Sequence, residues 1–391
     1  RSTALRGEYI LSALEHHVNL DTLLEASLRG IPADQLEMTA GEGILKADRV
    51  LGQGMANTVH LCTYRGEDGE DMRLVFKPEV GARHGLAGLC AAGLGYQDGA
   101  RIMQLNVAAC RAADAIGCGN VIARSRIGTH GGRVGLFMEA APGKTFWDMA
   151  TSKSRSVSPL REAISHLRTM GRLDTLRSNL MRELCRLEWA DLLSGQVDRH
   201  GENYLIDINK DTGEVKVTGI DNDASFGVRK VGMTRVDISG MPDIQRELQA
   251  KGVVLPQGQP MIIDGRDFTE DQLMVLRRYF GFNQLFVPTH IDGQTYDMLM
   301  AIDENAYRCS LESCMSRDAV DAAMLRLQDA KAHATALQGQ GRVVRDWTSD
   351  SVLEEIRTDH RGAAGSKQEY LQNGFFSRDF LGYFPAAPAR P

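Results

Sequence analysis

The strongest constraint on the fold is a change of hydrophobic period along the chain. From Arg49 to about residue 140, apolar residues come in short runs broken by glycine, proline and acidic turns. "RVLGQGMANTVHLCTY" predicts a strand, a glycine turn and a second strand. "RGEDGED" predicts a hairpin loop, and "MRLVFKP" a third strand stopped at Pro78. "VIARSRIG" and "RVGLFMEAAPG" predict a further antiparallel pair. One stretch of helical spacing interrupts them, residues 101–117, ending on Gly117. From about residue 158 the period becomes helical. "LREAISHLRTMGRLDTLRSNLMRELCRLEWADLLSG" predicts two helices broken near Gly171. Strands first and helices after them specify an α+β protein. The expected fold is an antiparallel sheet of about five strands with one helix, followed by a mainly helical part.

Smaller signals complete the outline. Residues 4–30 carry helical periodicity. "NYLIDINKDTGEVKVTGIDNDASFG" predicts two short strands around a "KDTGE" turn. Thr269 and Gln272 form a capping box that opens a helix running to Gly281. Residues 316–339 predict an Ala-rich helix capped by Ser316, with an apolar stripe expected in the core. The stretch after about residue 360, rich in Gly, Ala and Pro, reads as loose.

Composition excludes several function classes. The 391 residues suffice for two or three compact units, and the hydrophobic content of 43% is that of an ordinary globular protein. A formal charge of −6 gives no reason to expect nucleic-acid binding. No apolar run approaches the length of a membrane span, and no signal peptide is read in the stretch that starts at Arg1. The seven cysteines are scattered, with no C-x-x-C and no histidine pair nearby at metal spacing. They read as reduced thiols of a cytosolic protein, so neither disulfides nor structural zinc is expected. Cys309 and Cys314 read as buried small hydrophobes.

Chemistry concentrates in "SGQVDRHGENYLIDI", residues 194–208. Asp198, His200, Glu202 and Asn203 crowd into one polar knot between apolar stretches, and Asp221 follows 18 residues after Asn203 in "GIDND". Upstream lie Gly52 and Gly54 of a glycine-rich turn, then Val59, and Lys77 on the third strand. Phosphoryl transfer from a nucleotide uses these parts. Glycines let backbone N–H groups approach phosphates, and a lysine neutralises phosphate charge. One carboxylate takes or orients the proton of the attacking hydroxyl. An amide oxygen and a second carboxylate suit Mg²⁺, a cation that prefers oxygen ligands.

The order and spacing of these motifs resemble the protein-kinase fold over roughly residues 47–230. "DRHGENYLI", "GIDND" and "LVFKP" look like the phosphatidylinositol 3/4-kinase and atypical-kinase branch. The glycine-rich turn is closer to the protein-kinase form G-x-G-x-x-G-x-V, with Asn57 at the third glycine. Bacterial effector kinases mix the two in this way. The resemblance implies a bilobal fold. A helical extension would span 1–46, the sheet-rich lobe 47–145, and the helical lobe with its extension 146–360, with a loose tail at 361–391. It implies ATP and Mg²⁺ as cofactors. Gly52, Gly54 and Val59 would cover the nucleotide, and Met138, Glu139 and Ala140 would receive adenine through the backbone. Lys77 would contact the α/β-phosphates and Asp198 would be the catalytic base. His200 would lie near the γ-phosphate, with Asn203 and Asp221 holding the metal. Two departures stand out. Helix 101–117 has no acid on its first turns, Asn106 occupying the position expected to pair with Lys77. "GIDND" also lacks the Phe-Gly that usually follows the metal aspartate, and Asp223 is either a further metal ligand or a turn residue.

"APGKT" at 141–145 is not a P-loop, because Met138 stands where the first glycine is required. Arginines 161, 168, 172, 177, 182 and 186 make a basic stretch, read first as a solvated helix face and second as a dock for an acidic substrate or anionic lipid. The expected function is transfer of the γ-phosphate to Ser/Thr of a protein, a host protein if the chain is a secreted effector. Phosphoinositide or small-alcohol phosphorylation is the alternative. A pseudokinase scaffold, or AMP transfer as in selenoprotein-O-like proteins, completes the set. The expected location is the cytoplasm or a host-cell cytosol.

Overall fold

The computed structural model describes residues 44–53, 58–66, 69–79, 102–130, 133–150, 157–196, 199, 201–226, 233–236, 242–255, 261–264, 269, 272, 275 and 288–358. The expected helix at 4–30, Gly54, Asn57, Asp198, His200, Gly281 and the tail from 361 lie outside the described residues.

The sheet-rich part opens with a meander of three strands, β1 (Ile44–Gln53), β2 (Thr58–Arg65) and β3 (Asp71–Pro78). Helix α1 (Ile102–Ala115) intervenes before β4 (Ser125–His130) and β5 (Arg133–Glu139). The strands lie in the order β1-β2-β3-β5-β4, every neighbour antiparallel. Register shifts at Leu45/Ala47 and Val50/Gly52 bend β1. One face of the sheet buries Cys62, Tyr64, Leu74, Phe76 and Phe137 as a small core of its own.

The helix-rich part begins with β6 (Lys144–Thr145), α2 (Phe146–Ala150), α3 (Pro159–Thr169) and α4 (Leu173–Ser194). Ser158 caps α3, its Oγ accepting from the Arg161 amide, and Pro159 fills the first turn, where no N–H is needed. Gly171, at φ +65°, separates α3 from α4 as the sequence predicts. Helix α4 ends at Gly195, φ +67°, where a Cβ would sit 2.8 Å from the guanidinium carbon of Arg326. Both the left-handed backbone and the close approach require glycine there.

After the polar knot come β7 (Tyr204–Ile208) and β8 (Val215–Gly219), which extend β6 into a three-stranded sheet, β6-β7-β8. Strand β9 (Met233–Val236), helix α5 (Pro242–Ala250) and strand β10 (Met261–Asp264) follow, β9 pairing antiparallel with β10. The chain continues as β11 (Ile291–Asp292), α6 (Gly293–Met300), α7 (Glu304–Glu312), α8 (Arg317–Gly339), β12 (Val343–Val344) and α9 (Asp350–Thr358). Strands β11 and β12 pair in parallel over two residues each, too short for any sequence period to reveal. Thr269 and Gln272 make the reciprocal bonds of a capping box, amide to Gln272 Oε1 at 2.9 Å and amide to Thr269 Oγ1 at 3.4 Å.

One large core joins α1, α3, α4 and the helices after β11. Helix α1 enters it through Ala108, Ala109, Ala112, Ala113 and Ile116, whose small side chains allow close approach. Although α1 lies between sheet strands in sequence, it packs with the helices and carries Asn106 to the junction. Trp189 donates its indole N–H to the His290 carbonyl at 2.7 Å, so this large buried ring leaves no polar atom unmatched. Helix α8 buries Val320, Ala323, Met324, Leu327, Ala330, Ala334 and Leu337, the expected core stripe, with Ser316 as its cap. The architecture is α+β, an antiparallel sheet followed by a mainly helical part, consistent with the expected bilobal kinase-like fold.

Three readings are refined. Cys314 is buried, but Cys309 is exposed, because it falls on the outward side of the short helix α7. Gly143, Lys144 and Thr145 of "APGKT" lead into β6, where Lys144 pairs with Ile206, so this stretch serves the sheet. In the basic stretch, Arg177 bonds Asp350 and Asp174, while Arg182 and Arg186 flank the buried carboxylate of Glu183. Those three arginines brace α4. Arg161, Arg168 and Arg172 remain at the surface. Among the described residues no helix is long and apolar enough to cross a membrane.

Candidate functional site

Strand β3 delivers Lys77 toward the segment that follows β8. Its ammonium lies 2.5 Å from Asp221 Oδ1 and 3.7 Å from Asp223 Oδ2. Residues 144 positions apart therefore meet between the sheet-rich and helix-rich parts. Burial alone would lower the Lys77 pKa, but the charges of Asp223 and Asp221 overcome it and hold the amine firmly protonated. Withdrawal from water works against ionisation of Asp221, yet the Lys77 ammonium keeps it below the usual carboxylate range. Asp223 moves the other way: burial raises it, Lys77 opposes, and the neighbouring Asp221 charge raises it further. One ammonium holds Asp221 ionised but not Asp223, and a hard cation would favour ionisation of both. The Asp221 side chain is 40% exposed, so it still presents surface to a ligand.

The backbone at Asp221 is left-handed, φ 58° and ψ 56°, and leads into a 3-10 turn at Asn222–Ala224. A non-glycine residue in that region is held by its surroundings, and here the holders are visible. Asn106 of α1 donates from Nδ2 to Asp223 Oδ1 at 2.5 Å and accepts the Asn222 amide on Oδ1 at 3.1 Å. Gln196 donates to the Asp221 carbonyl at 3.1 Å. Asp223 is thus a partner of Lys77 and Asn106 rather than a mere turn residue. The position that lacks an acid on α1 carries an amide that grips the aspartate loop, and the aspartates pair with Lys77. Glu79, just after β3, accepts the Met103 amide at 3.3 Å near the start of α1.

Within the polar knot, Arg199 is fully buried and ties α4, the knot and the 220–222 segment together. Its guanidinium makes a forked contact with Asp191 of α4, Nε to Oδ2 at 3.0 Å and Nη2 to Oδ1 at 2.9 Å. Nη1 donates to the carbonyls of Asn203, at 2.6 Å, and Ile220, while Nη2 also reaches Asn222 Oδ1 at 2.5 Å. Burial pushes the Asp191 pKa up, with Arg199 opposing. Asn203 is buried, and its carbonyl also accepts the Ile220 amide at 2.9 Å. It therefore stands one residue from Asp221 across the β7–β8 pair. Arg199, Asp191 and Gln196 escape a motif reading. Their one sequence signal is an acid and a base set among residues that must be buried, "EWADLLSG" and "VDRHG".

The other predicted residues fall as follows. Gly52 lies on β1 opposite Val59, and a Cβ there would meet no atom within 4 Å, leaving its surface open. Met138 is buried in β5. The Glu139 amide donates to the Arg124 carbonyl at 2.8 Å and the Ala140 amide to the Arg73 carbonyl at 3.2 Å, so both donors already serve the protein. Glu139 Oε1 accepts from Lys216 on β8 at 2.9 Å, a second link between the two parts.

No protein-family model matches the chain, and no curated protein matches it in sequence. Among solved structures, the chain is similar to the Helicobacter pylori proinflammatory kinase CtkA at 13% identity and a TM-score of 0.35, over 76% of this chain and 95% of that one. It is also similar to the open conformation of CtTel1 at 14% identity and a TM-score of 0.29, over 75% of this chain and 12% of the other. The second match thus spans about an eighth of that protein's length.

Proposed function

We propose that this chain is an ATP- and Mg²⁺-dependent kinase that transfers the γ-phosphate to a hydroxyl, with Ser or Thr of a protein as acceptor. The observation that carries the reading is the meeting of Lys77 with Asp221 and Asp223 from opposite halves of the chain. A lysine and two carboxylates form a donor set suited to a magnesium-bound triphosphate, and the backbone of Asn203 pairs with Ile220, the residue before Asp221. Asp221, Asn203 and Asp223 would hold the ion, which when bound neutralises phosphate charge. Lys77 then donates to phosphate oxygens rather than to the aspartates. Asp198 takes the proton of the acceptor hydroxyl as its oxygen bonds to the γ-phosphorus and the bond to the β-phosphate oxygen breaks. Gln196 and Arg199, on either side of residues 197–198, are both hydrogen-bonded to the 220–222 segment, which favours a shared site for Asp198 and Asp221. Since the Glu139 and Ala140 amides are engaged, adenine contact at that stretch would compete with sheet bonds.

The test follows the phosphate. Protein is incubated with γ-labelled or α-labelled ATP, and separately with casein-type proteins and phosphoinositide vesicles. The proposal expects γ-label on protein. Label on lipid alone overturns the acceptor, label from α- but not γ-labelled ATP indicates AMP transfer, and no transfer to any acceptor leaves a scaffold.

A further inference from the structure

On the same sheet as Lys77, the small core ends in a cluster that mixes the three donor types preferred by zinc. Asp48 on β1 stands opposite Cys62 on β2 in the antiparallel register. His130 closes β4, the far edge of the same sheet. The sheet curls enough for this histidine to reach β1. Its Nε2 lies 2.8 Å from Asp48 Oδ2 and 3.7 Å from Cys62 Sγ. One ligand atom from each of the three residues falls within 4.8 Å of the others. Ring contacts of His130 with Phe76 and Phe137 fix its place over the core.

We propose that Asp48, Cys62 and His130 form a three-ligand site for a zinc-class divalent ion, which clamps the two edges of the curled sheet together. The two ligand separations from His130 are close to those an ion would need. Bond lengths of about 2.3 Å to sulfur and 2.0–2.1 Å to nitrogen and oxygen, at tetrahedral angles, place S and N about 3.6 Å apart and N and O about 3.3 Å apart. The 3.7 Å sulfur–nitrogen distance already matches, and the carboxylate needs to retreat by about half an ångström. Partners that orient metal ligands are also in place. Tyr64 hydroxyl hydrogen-bonds with His130 Nδ1 at 2.8 Å, which leaves Nε2 to face the ion. His60 Nδ1 hydrogen-bonds with Asp48 Oδ1 at 3.1 Å, which leaves Oδ2. His60, Cys62 and Tyr64 are alternate residues of β2, so a single strand face supplies one ligand and both orienting groups. Cys62 is fully buried while Asp48 is about one-third exposed, giving a shielded thiol, which would have to lose its proton to bind the ion, and an entry side. The fourth position would take water. The absence of any C-x-x-C or paired histidine in the sequence is no obstacle, because strand pairing and curl assemble the site from positions 14 and 68 residues apart.

The purified full chain, held reduced, is titrated with Co²⁺ and with Zn²⁺. The expected result is one cobalt per chain with a thiolate-to-cobalt charge-transfer band, displaced by zinc. A zinc concentration a hundredfold above Kd should raise Tm by roughly 5–10 °C. Cys62→Ser should abolish the band, while Asp221→Asn should leave it unchanged, separating this site from the Lys77 aspartates. Tyr64→Phe keeps all three ligands and should weaken zinc binding by about 10–100-fold. The proposal is overturned if the folded parent shows no band, if the band survives Cys62→Ser, or if Tyr64→Phe leaves the affinity as it was.

Discussion

Arg199→Met probes the frame that positions the aspartate loop. The substitution keeps a long apolar stem and removes the forked contact with Asp191, the bonds to the Asn203 and Ile220 carbonyls, and the bond to Asn222 Oδ1. Asp191 is only 6% exposed, so its charge is left without the guanidinium in a buried place. Breaking a buried ion pair from one side costs about 3–5 kcal/mol. The Ile220 carbonyl, which loses its Arg199 donor, adds on the order of 1 kcal/mol, while the Asn203 carbonyl keeps the Ile220 amide. The total is then about 5 kcal/mol. At about 2–4 °C per kcal/mol for a chain of this size, Tm should fall by roughly 10–20 °C in a calorimetric scan. Adding Asp191→Leu removes the stranded carboxylate and should recover about 2 kcal/mol, a coupling that a double-mutant cycle reads directly. If Arg199→Met does not fold, Arg199→Lys takes its place, retaining the charge but not the fork. A Tm drop below about 3 °C for Arg199→Met, or a double variant no more stable than the single, would refute the keystone role.

Asn106→Leu removes the grip of α1 on the aspartate loop. It should cost about 1–3 kcal/mol in thermal unfolding, because Asp223 and the Asn222 amide lose a buried partner. Gly195→Ala should destabilise by at least about 1–2 kcal/mol, since it forces a left-handed residue against Arg326. His333, stacked on Trp189 with Nε2 bonded to the Pro288 carbonyl, has its pKa lowered by burial, the carbonyl opposing. It is therefore harder to protonate in the fold than in the unfolded chain. Its stabilising share is complete above about pH 6.5 and is lost as pH falls below that. A flatter Tm-against-pH curve for His333→Gln between about pH 7.5 and 5.5 would bear this out, and an unchanged curve would refute it.

Much of the fold is legible in the sequence because strands β1 to β5 and helices α1, α3, α4 and α8 each carry their own period, with glycines or caps at their ends. Lys77 and Asp221 stand out in the sequence because the phosphate chemistry proposed for them restricts residue types and spacing, and the fold brings these two side chains together. Arg199 and Asp191 are not, since a buried ion pair has no period and its partners come from segments set side by side only by folding. The same holds for Asp48, Cys62 and His130, which strand register and sheet curl bring together. Asn106 is visible as a departure from an expected acid, but only the 221–224 turn folded against α1 gives the amide its task. Short α6 and α7 and the two-residue pairing of β11 with β12 lie below the length at which hydrophobic patterning speaks, and Cys309 was misplaced for that reason.

The most direct test of the central claim is a calorimetric titration of Mg-ATP into the parent chain, Asp221→Asn and Asp198→Asn. The parent and Asp198→Asn should bind alike, Asp198→Asn should turn over about 10²–10⁴-fold more slowly, and Asp221→Asn should lose at least about tenfold in affinity, roughly 1.4 kcal/mol. Equal Mg-ATP affinity in Asp221→Asn and the parent would contradict that claim.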